Sequence, residues 1–513
     1  MTTLLTGRWP GVSWLLGILL ILSLGCQPSE DAAAPERPNV LFILADDFGY
    51  MDVGAYNPDT FYETPHLDSL AASGMMFTDG YAANPVCSPT RFSIMTGQHP
   101  SRKNHTDWFC GQRTERFDHA EYDCAMDTTQ VTIAEAFKEA GYATWFGGKW
   151  HLGPDSTHWP ENQGFEVNKG GWRAGSPSAY GGGGFFSPYN NPRLEDGPEG
   201  EYLPFRLADE AEAFIAQERD HPFFAFLSFY EVHNPRQAPD SLVEKYRQKR
   251  ADRGLDPDAF QPREFEEIEQ VWPGEEPRLE RVVQGRPIYA AMVEAMDTAI
   301  GEVLDALQAH GLDENTVVVF TSDNGGLSTS EGRNTSNRPL RGGKGWVYEG
   351  GIREPFIVRW PGVTPAGSTA DVPVVSTDLY PTLLEIAGLP MRPDQHRDGV
   401  SIVPALQGAS ALDREALFWH YPHYSNQGGF PGGAIRMGPW KLVENYEDGS
   451  VQLFNLDEDL GEQQDRADEQ PERVERMRDR LHAWYRAVDA RFLQPVDGGP
   501  TPWRPAPDSP PSE

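Results

Sequence analysis

Short runs of consecutive apolar residues alternate along the chain with longer segments in which apolar residues recur every three or four positions. The apolar runs predict buried strands, because a strand that is covered on both faces has no polar side. Five such runs are Val40–Ala45, Tyr142–Phe146, Phe223–Phe229, Thr316–Phe320 and Phe356–Arg359.

Two segments between these runs have helical spacing. Thr132–Ala140 stops at Gly141, and Ile288–His310 carries an apolar stripe that Gly311 closes. Strands that alternate with helices are typical of an α/β fold. We therefore expect a large, mostly parallel mixed sheet flanked by helices.

The pattern changes after about residue 406. Short strand-like segments predict a small antiparallel sheet, and an amphipathic helix follows them. These segments are Leu417–His420, Ala434–Met437, Lys441–Val443, Gln452–Asn455 and the helix Pro471–Val488. We expect a main domain at 38–406, a smaller C-terminal domain at 407–490 and a disordered, Pro-rich tail at 491–513.

The first 26 residues have the pattern of a secretory signal. Arg8 precedes the apolar run Val12–Leu24, which is short for a membrane span, and Gly25-Cys26 follows it. This ending resembles a lipoprotein signal, with a lipid on Cys26 and residues 27–37 as a tether; an ordinary cleaved signal peptide is the alternative. We expect a protein that is secreted across the inner membrane. It would be periplasmic or on the cell surface, and held to the membrane only by that lipid.

Composition narrows the possible functions. The chain has 513 residues and a formal net charge of -34. A protein that binds nucleic acid usually shows basic patches, so we expect no nucleic-acid partner. An anionic substrate would need a few local Arg or Lys side chains to outweigh this acidic field.

Polar residues follow the carboxyl ends of four of the predicted strands. In open α/β sheets ligands bind at that edge, so these side chains are candidates for one site. Each alone also has an ordinary explanation, as a turn, a helix cap or a structural histidine. The residues are Asp46, Asp47, Lys149, His151, His233, Asp323 and Asn324.

The segment Cys87-Ser88-Pro89-Thr90-Arg91 carries the most specific signal in the chain. Pro89 suits the first turn of a helix, which places Cys87 at a helix N-terminus, where anions are stabilised. A buried cysteine in front of a helix is the alternative interpretation from the position alone.

Cys-X-Pro-X-Arg, followed here by Thr96-Gly97, resembles the signature of the type I, formylglycine-dependent sulfatases, an arylsulfatase-like family of the alkaline phosphatase superfamily. Further segments resemble the blocks of that family in the same order, from about residue 38 to about residue 488. They are Asn39–Asp47, Gly148–Gly153, Thr321–Gly325, Gly343–Gly345, Gly350–Pro355, Asp378–Thr382 and Asp398–Ser401. The resemblance makes 38–406 the catalytic domain.

The resemblance implies a sulfatase that hydrolyses sulfate esters through a modified Cys87. A formylglycine-generating enzyme would convert this cysteine to formylglycine, whose hydrate attacks sulfur with one hydroxyl. The covalent sulfo-enzyme intermediate then collapses through the second hydroxyl and releases sulfate. Arg91 would orient the nucleophile and support the metal site.

The resemblance also implies roles for the remaining polar side chains. Lys149 and Lys344 would hold the sulfate oxygens and offset charge in the transition state. His233 would protonate the leaving oxygen, and His151 would take the proton from the hydrate.

The expected metal ligands offer only oxygen atoms. Asp46, Asp47, Asp323 and Asn324 favour a hard cation, Ca²⁺ first and Mg²⁺ second, whereas Zn²⁺ would favour His or Cys. Formylglycine at position 87 would add one more oxygen.

The expected substrate is a sulfated carbohydrate, of the galactose type, or an aryl sulfate. The Gly-rich segment Gly170–Gly184, with Trp172 and Arg173, is a candidate wall of the leaving-group pocket. From the C-terminal domain, His420, Tyr421 and His423 are further candidates.

Two other functions remain as alternatives. One is a formylglycine-dependent phosphodiesterase or phosphonate monoester hydrolase of the same superfamily, and the other is an inactive glycan-binding lipoprotein. Of the remaining residues of note, Cys110 and Cys124 are expected to pair in an oxidising compartment, with two free thiols as the alternative. His99 and His105 are interpreted as structural or peripheral.

Overall fold

The computed structural model describes residues 37–255, 265–268 and 278–505. From Arg37 onward the described chain forms one compact unit. The predicted signal sequence and the predicted tether up to Glu36 lie outside the described residues. Within the described part, no helix combines the length and the apolar character needed to cross a bilayer.

The strands, in chain order, are β1 (Asn39–Ala45), β2 (Met75–Phe77), β3 (Gly80–Tyr81), β4 (Ala143–Gly148), β5 (Val167–Lys169), β6 (Phe223–Ser228), β7 (Phe265–Ile268), β8 (Arg278–Arg281), β9 (Thr316–Ser322), β10 (Phe356–Arg359), β11 (Ser368–Ala370), β12 (Val374–Val375), β13 (Leu417–Tyr421), β14 (Gly432–Met437), β15 (Trp440–Asn445) and β16 (Val451–Asn455). The α-helices are α1 (Pro65–Ser73), α2 (Cys87–Thr96), α3 (Ile133–Glu139), α4 (Leu203–Ile215), α5 (Asp240–Asp252), α6 (Pro287–Ala309), α7 (Glu349–Ile352), α8 (Leu379–Ile386), α9 (Val403–Leu406) and α10 (Pro471–Ala487).

The main sheet has eight strands in the order β11-β2-β10-β9-β1-β6-β4-β5. Strands β9, β1, β6, β4 and β5 run parallel to one another, and β10 pairs antiparallel with β9 and with β2. The prediction of a large, mostly parallel mixed sheet is therefore confirmed. All five predicted strands lie in this sheet.

Strand β1 explains why the sheet is covered on both faces. All seven of its residues are buried, and their side chains alternate between two hydrophobic clusters. Leu41 and Ile43 pack with α4 and α6, whereas Val40, Phe42 and Leu44 pack with α2, α3 and α8. A strand with no polar face is stable only between two layers of helices.

The smaller C-terminal sheet is the antiparallel meander β13-β14-β15-β16, as predicted. Helix α10 packs its apolar side on this sheet, with Met477, Leu481 and Trp484 in one cluster with Leu442 and Leu453. The antiparallel sheet and its helix thus agree with the expected fold class.

The prediction of a disordered tail is wrong for residues 491–505. Leu493 is fully buried in the cluster beneath α10, and Gln494 pairs with Asp118 in an isolated antiparallel bridge. This Pro-rich segment packs against the fold through the apolar side chains Phe492, Leu493 and Trp503. Its largely polar composition does not indicate this packing. Residues 506–513 lie outside the described part.

Candidate active site

The strand order brings the predicted polar residues to one edge of the main sheet. Strands β9, β1, β6 and β4 are neighbours and end at the same edge. The residues just past their carboxyl ends are Asp323 and Asn324 after β9, Asp46 and Asp47 after β1, His233 after β6, and Lys149 and His151 after β4. Helix α2 adds Cys87 and Arg91, and the segment before α7 adds Lys344.

Three carboxylates lie together at the centre of this edge. Asp46, Asp47 and Asp323 each offer an oxygen within 4.8 Å of the others, and all three are buried. Arg91 fixes Asp323, since its Nε and Nη2 both lie 2.7 Å from Oδ2 of that residue. Arg91 also donates through Nη1 to the carbonyl oxygen of Lys149 and to Oγ of Ser228, at 2.8 and 2.6 Å. This arginine therefore ties helix α2 to three strand ends.

The chemistry of these groups fits a hard cation. Oδ1 of Asp46, Oδ2 of Asp47 and Oδ1 of Asn324 are buried oxygens with no hydrogen-bond donor. Asn324 donates through Nδ2 to Oδ1 of Asp47 at 2.8 Å, which leaves its own Oδ1 as a free acceptor. Buried acceptors without a donor are costly, and oxygen atoms alone are the donor set of Ca²⁺ and Mg²⁺.

Two buried lysines compensate part of this negative charge. Lys149 Nζ lies 2.6 Å from Oδ2 of Asp46, and Lys344 Nζ lies 2.6 Å from Oδ1 of Asp47. Burial acts to raise the pKa of Asp47, but Lys344, His233 and Lys149 together outweigh burial and hold this pKa below its ordinary value. Burial raises the pKa of Asp46 well above its ordinary value, although Lys149 opposes the shift. Both ammonium groups thus lie beside the three buried carboxylates.

Cys87 is the first residue of α2 and lies against His151. Its Sγ is 3.4 Å from Nδ1 of His151, and Oγ of Ser88 is 3.1 Å from the same nitrogen. Burial raises the pKa of the Cys87 thiol, with Lys149 acting in the opposite direction. In this environment the side chain is a neutral thiol at neutral pH.

His233 lies near Asp47 and lines the same cavity as Cys87 and His151. Its Nδ1 is 2.8 Å from the carbonyl oxygen of Asn234, and its Nε2 is 3.8 Å from Oδ2 of Asp47. Burial and the Lys344 ammonium lower the pKa of His233 to about 3. Burial and Lys149 likewise lower the pKa of His151 well below its ordinary value. Both imidazoles are therefore neutral at neutral pH when the protein holds neither substrate nor metal ion.

Glycine is required at two positions around the site. Gly148 has φ +95°, and a Cβ there would lie 1.8 Å from the carbonyl oxygen of Ser228. Gly175 lies against the ring of His151, where a Cβ would come within 2.5 Å of Cε1. The first glycine lets the chain turn sharply at the end of β4, and the second lets the Gly-rich loop approach the site.

A cavity of about 410 Å³ opens above Cys87, His151, His233 and Lys344. Arg173 lines it, as predicted for the Gly-rich segment, whereas the ring of Trp172 is buried beside the wall. Tyr180 of the predicted Gly-rich segment also lines the cavity, and further wall residues that the sequence did not indicate include Trp108, Phe109, Glu331, Asn426 and Gln427. The aromatic ring of Tyr180 was a usable signal; the other wall residues lie in loops without a pattern.

The expectation that His420, Tyr421 and His423 line this cavity is wrong. All three are buried at the C-terminal sheet, where Tyr421 donates to Asp107 at 3.0 Å. His423 lies 2.7 Å from the hydroxyl of Thr106, and His420 lies 2.6 Å from that of Tyr446. These side chains join the sheet to the rest of the fold, and the turn after them carries Asn426 and Gln427 to the cavity instead.

The structure also shows the contacts of the remaining cysteines and of His99 and His105. Cys110 and Cys124 form a disulfide that also lines the cavity. His99 accepts a hydrogen bond from the backbone N–H of Ser101, and His105 packs edge-on against Phe109. Both histidines are buried and neither lines the cavity, as expected of structural residues.

Known proteins are similar to this chain in sequence and in fold. The family model described as Sulfatase matches residues 38–389, and the model described as N-sulphoglucosamine sulphohydrolase, C-terminal, matches residues 343–487. A protein of Formosa agariphila named sulfatase is 30% identical over 91% of this chain and 92% of its own length. The N-acetylgalactosamine-6-sulfatase of Canis lupus familiaris is 32% identical over 79% of this chain and 72% of its own.

Among solved structures, Ps i-CgsB in complex with k-i-k-neocarrahexaose has a TM-score of 0.69 at 27% identity and covers 88% of this chain and 93% of that chain. The α/β fold and the polar strand ends therefore define a hydrolase of the alkaline phosphatase superfamily. Within it, this chain belongs to the type I sulfatase family and is a sulfuric ester hydrolase.

Proposed function

We propose that this protein removes sulfate from sulfated carbohydrates, with Cys87 converted to formylglycine as its nucleophile. The observation that carries the nucleophile is the environment of Cys87. A cysteine that acts directly as a nucleophile has a lowered pKa, whereas burial raises the pKa of this thiol. The side chain nevertheless lies at the first residue of α2, against His151 and in the same cavity as Lys344. Conversion to formylglycine would explain why residue 87 lies at the centre of the site although its unmodified thiol would be a poor nucleophile there.

The proposed reaction uses groups that are already in place. One hydroxyl of the hydrate at position 87 gives its proton to solvent and attacks sulfur, and the S–O bond to the sugar breaks as the new S–O bond forms. Lys149 and Lys344 bind the sulfate oxygens. The anionic substrate offsets the Lys344 ammonium that lowers the pKa of His233, so that His233 takes up a proton on Nε2 and gives it to the leaving oxygen. His151, whose Nδ1 lies 3.4 Å from Sγ of Cys87, takes the proton of the second hydroxyl as sulfate is released.

Mass spectrometry of the peptide that contains Cys87 tests the nucleophile. We expect the aldehyde form in protein from the native host, and loss of at least a thousand-fold in kcat for Cys87→Ala. Cys87→Ser is the matched control, because it keeps a hydroxyl but lacks the second one needed to release sulfate. Unmodified cysteine in fully active protein would contradict the proposal.

Calcium is the proposed metal, held by Asp46, Asp47, Asp323 and Asn324. When bound, it would act as a Lewis acid on a sulfate oxygen. We expect chelation to lower both activity and Tm, and Ca²⁺ to restore both better than Mg²⁺. A ligand at a hundred times its Kd stabilises the folded state by about 2.7 kcal/mol.

Asn324→Ala removes one of the three free oxygens and should weaken the rise of Tm with Ca²⁺, while Asn426→Ala, in the cavity wall, should not. The same Tm with and without Ca²⁺ in the wild type would contradict the calcium assignment. Differential scanning fluorimetry across a Ca²⁺ titration measures both effects.

A carbohydrate substrate is supported by the names of the relatives and by the cavity. One relative is an N-acetylgalactosamine-6-sulfatase, and Ps i-CgsB was solved with an oligosaccharide. Aromatic and amide side chains line the cavity here, as suits a sugar. Sulfate released from a panel of sulfated mono- and oligosaccharides, compared with an aryl phosphodiester, tests the assignment. A strong preference for the phosphodiester would instead indicate a phosphodiesterase.

Export and a lipid anchor at Cys26 complete the proposal. The disulfide between Cys110 and Cys124 supports an oxidising compartment outside the cytosol. Fractionation of the native host should find the protein with membranes, and Cys26→Ala should move it to the soluble fraction. A wild type that is soluble after export would contradict the anchor.

A further inference from the structure

The loop that carries Arg173 is hydrogen-bonded to His151 and to Asn234, the residue after His233. The backbone N–H of His151 donates to the carbonyl oxygen of Trp172 at 3.3 Å, one residue before Arg173. Ser176 donates through Oγ to the carbonyl oxygen of Asn234, next to His233, at 2.8 Å. Two hydrogen bonds, one on each side of Arg173 in the chain, therefore fix its backbone relative to the reacting groups.

The Arg173 side chain is held by an aromatic ring. Its guanidinium carbon lies 3.7 Å from the centroid of the Tyr180 ring, and Trp172 packs edge-on against the same ring at 6.0 Å. The Tyr180 side chain is 62% exposed, so the ring supports the arginine while its own surface stays open. A stacked guanidinium keeps its N–H donors free at the edge, in the planar arrangement that matches a sulfate or a carboxylate.

Arg173 has no acidic partner in the part of the chain that the structure describes. Its Nε is buried without a hydrogen-bond acceptor, and no carboxylate oxygen lies within ion-pair distance of its guanidinium. Arg193 provides the contrast, since it also stacks on an aromatic ring, that of Trp159, yet pairs with Glu161 at 2.7 Å. In a chain of net charge -34, an arginine without a counter-ion at the reaction cavity is available to the substrate.

Another part of the cavity wall, formed by Glu331, Asn426 and Gln427, has the opposite character. The carboxylate of Glu331 accepts hydrogen bonds from Nδ2 of Asn426 at 2.6 Å and from Nε2 of Gln427. This cluster suits hydroxyl groups and repels an anion. Any second negative charge on a substrate is therefore directed to the Arg173 side.

We propose that Arg173 binds a second anionic group of the substrate, a sulfate ester or a carboxylate other than the sulfate that is cleaved. The proposal rests on the proposed carbohydrate function and narrows it to sugars with at least two negative charges. Tyr180 acts as the support that keeps the guanidinium in place and offers its exposed surface to the sugar.

Matched saccharides that differ only in the second group test this proposal. The set is a monosulfated saccharide, its disulfated form and its monosulfated form with a carboxylate. The activated substrate 4-nitrophenyl sulfate is added because its aryl group carries no second sulfate or carboxylate. We expect Arg173→Gln to lower kcat/KM for the doubly charged saccharides by about ten- to a hundred-fold, as for a charge-assisted hydrogen bond. For the monosulfated saccharide and 4-nitrophenyl sulfate the change should stay within about two-fold.

Three controls separate recognition from structure. Arg193→Gln, a stacked arginine outside the cavity, should leave every substrate unaffected. Arg173→Lys should recover part of the loss because it keeps the charge but not the planar donors. The KM for the disulfated saccharide should rise with salt in the wild type and much less in Arg173→Gln. Equal loss on singly and doubly charged saccharides, or no loss, would overturn the proposal.

If the protein hydrolyses no saccharide, the role of Arg173 is tested by measuring how well the saccharides inhibit it. In that case the carbohydrate function fails, while hydrolysis of 4-nitrophenyl sulfate still reports on the cavity. The disulfated saccharide should then inhibit the wild type at least ten-fold better than the monosulfated one, and this difference should vanish in Arg173→Gln. Equal inhibition by the two in the wild type would overturn the role of Arg173.

Discussion

At the scale of single residues, buried carboxyl groups tie the protein's stability to pH. Asp107 is buried, and its Oδ1 accepts hydrogen bonds from the backbone N–H of Trp108 and from the hydroxyl of Tyr421. Burial raises the pKa of Asp107 to about 8 from an ordinary value of 3.8, even though both donors oppose the shift. The folded protein therefore keeps a proton that the unfolded chain releases.

We expect the free energy of unfolding to fall as pH rises from about 4 to about 8, by at most about 1.36 kcal/mol per pH unit from this one group. Asp107→Asn keeps the acceptor oxygen but has no proton to lose, so the fall should be shallower. Urea unfolding at several pH values measures the slope. Asp220→Asn, at a fully exposed side chain, is the control and should leave it unchanged. A slope in Asp107→Asn equal to that of the wild type would contradict the argument.

At the scale of elements, the sequence predicts what local patterns determine. The five apolar runs are strands, and Thr132 forms a capping box with Glu135 that starts α3 one residue later than expected. Because parallel strands end at one edge, the polar residues after them could be placed in one site before their contacts were known. The cavity walls could not be predicted, since Trp108, Glu331 and Gln427 come from loops whose positions depend on tertiary packing.

One of these loops is closed by the disulfide between Cys110 and Cys124, which spans 14 residues and lines the cavity. Replacing both by serine should lower the free energy of unfolding by about 3 kcal/mol, because the unfolded chain gains freedom. It should also raise KM for saccharides more than for 4-nitrophenyl sulfate, since the looser wall contacts only the larger substrate. A reducing agent should reproduce both effects in the wild type and none in the double variant. An unchanged saccharide KM would argue against a role of this loop in binding.

At the scale of the whole molecule, buried charges join the C-terminal sheet to the main one. Lys441 of β15 is fully buried between Glu349 of α7 and Glu462, with Nζ 2.8 Å from a carboxylate oxygen of each. Helix α7 begins only five residues after Lys344, so this cluster lies close along the chain to the site. The sequence patterns predict both sheets but not the ion pairs that join them. A single lysine in a strand does not indicate which distant carboxylates it pairs with.

Lys441→Met should lower the free energy of unfolding by about 3 kcal/mol, since it leaves the buried Glu462 without its lysine and leaves Glu349 with Arg353 as its ion-pair partner. Arg466→Gln is the matched control, because the pair between Arg466 and Glu469 is largely exposed and contributes at most about 1 kcal/mol. Chemical denaturation of both variants beside the wild type gives the two values. A loss for Lys441→Met as small as that of the control would contradict the proposed role of the cluster.

The enclosure of Cys87 sets an order of events during biosynthesis. In the folded protein its side chain is only 3% exposed, and His151, which covers it, follows a strand that is made later. A modifying enzyme therefore has no access to the proposed formylglycine position once β4 and β9 have joined the sheet. If Cys87 is modified as proposed, the modification would act on the nascent or still unfolded chain, and the yield of active protein would depend on competition between modification and folding. In that case a chain that folds first would be stable but permanently inactive.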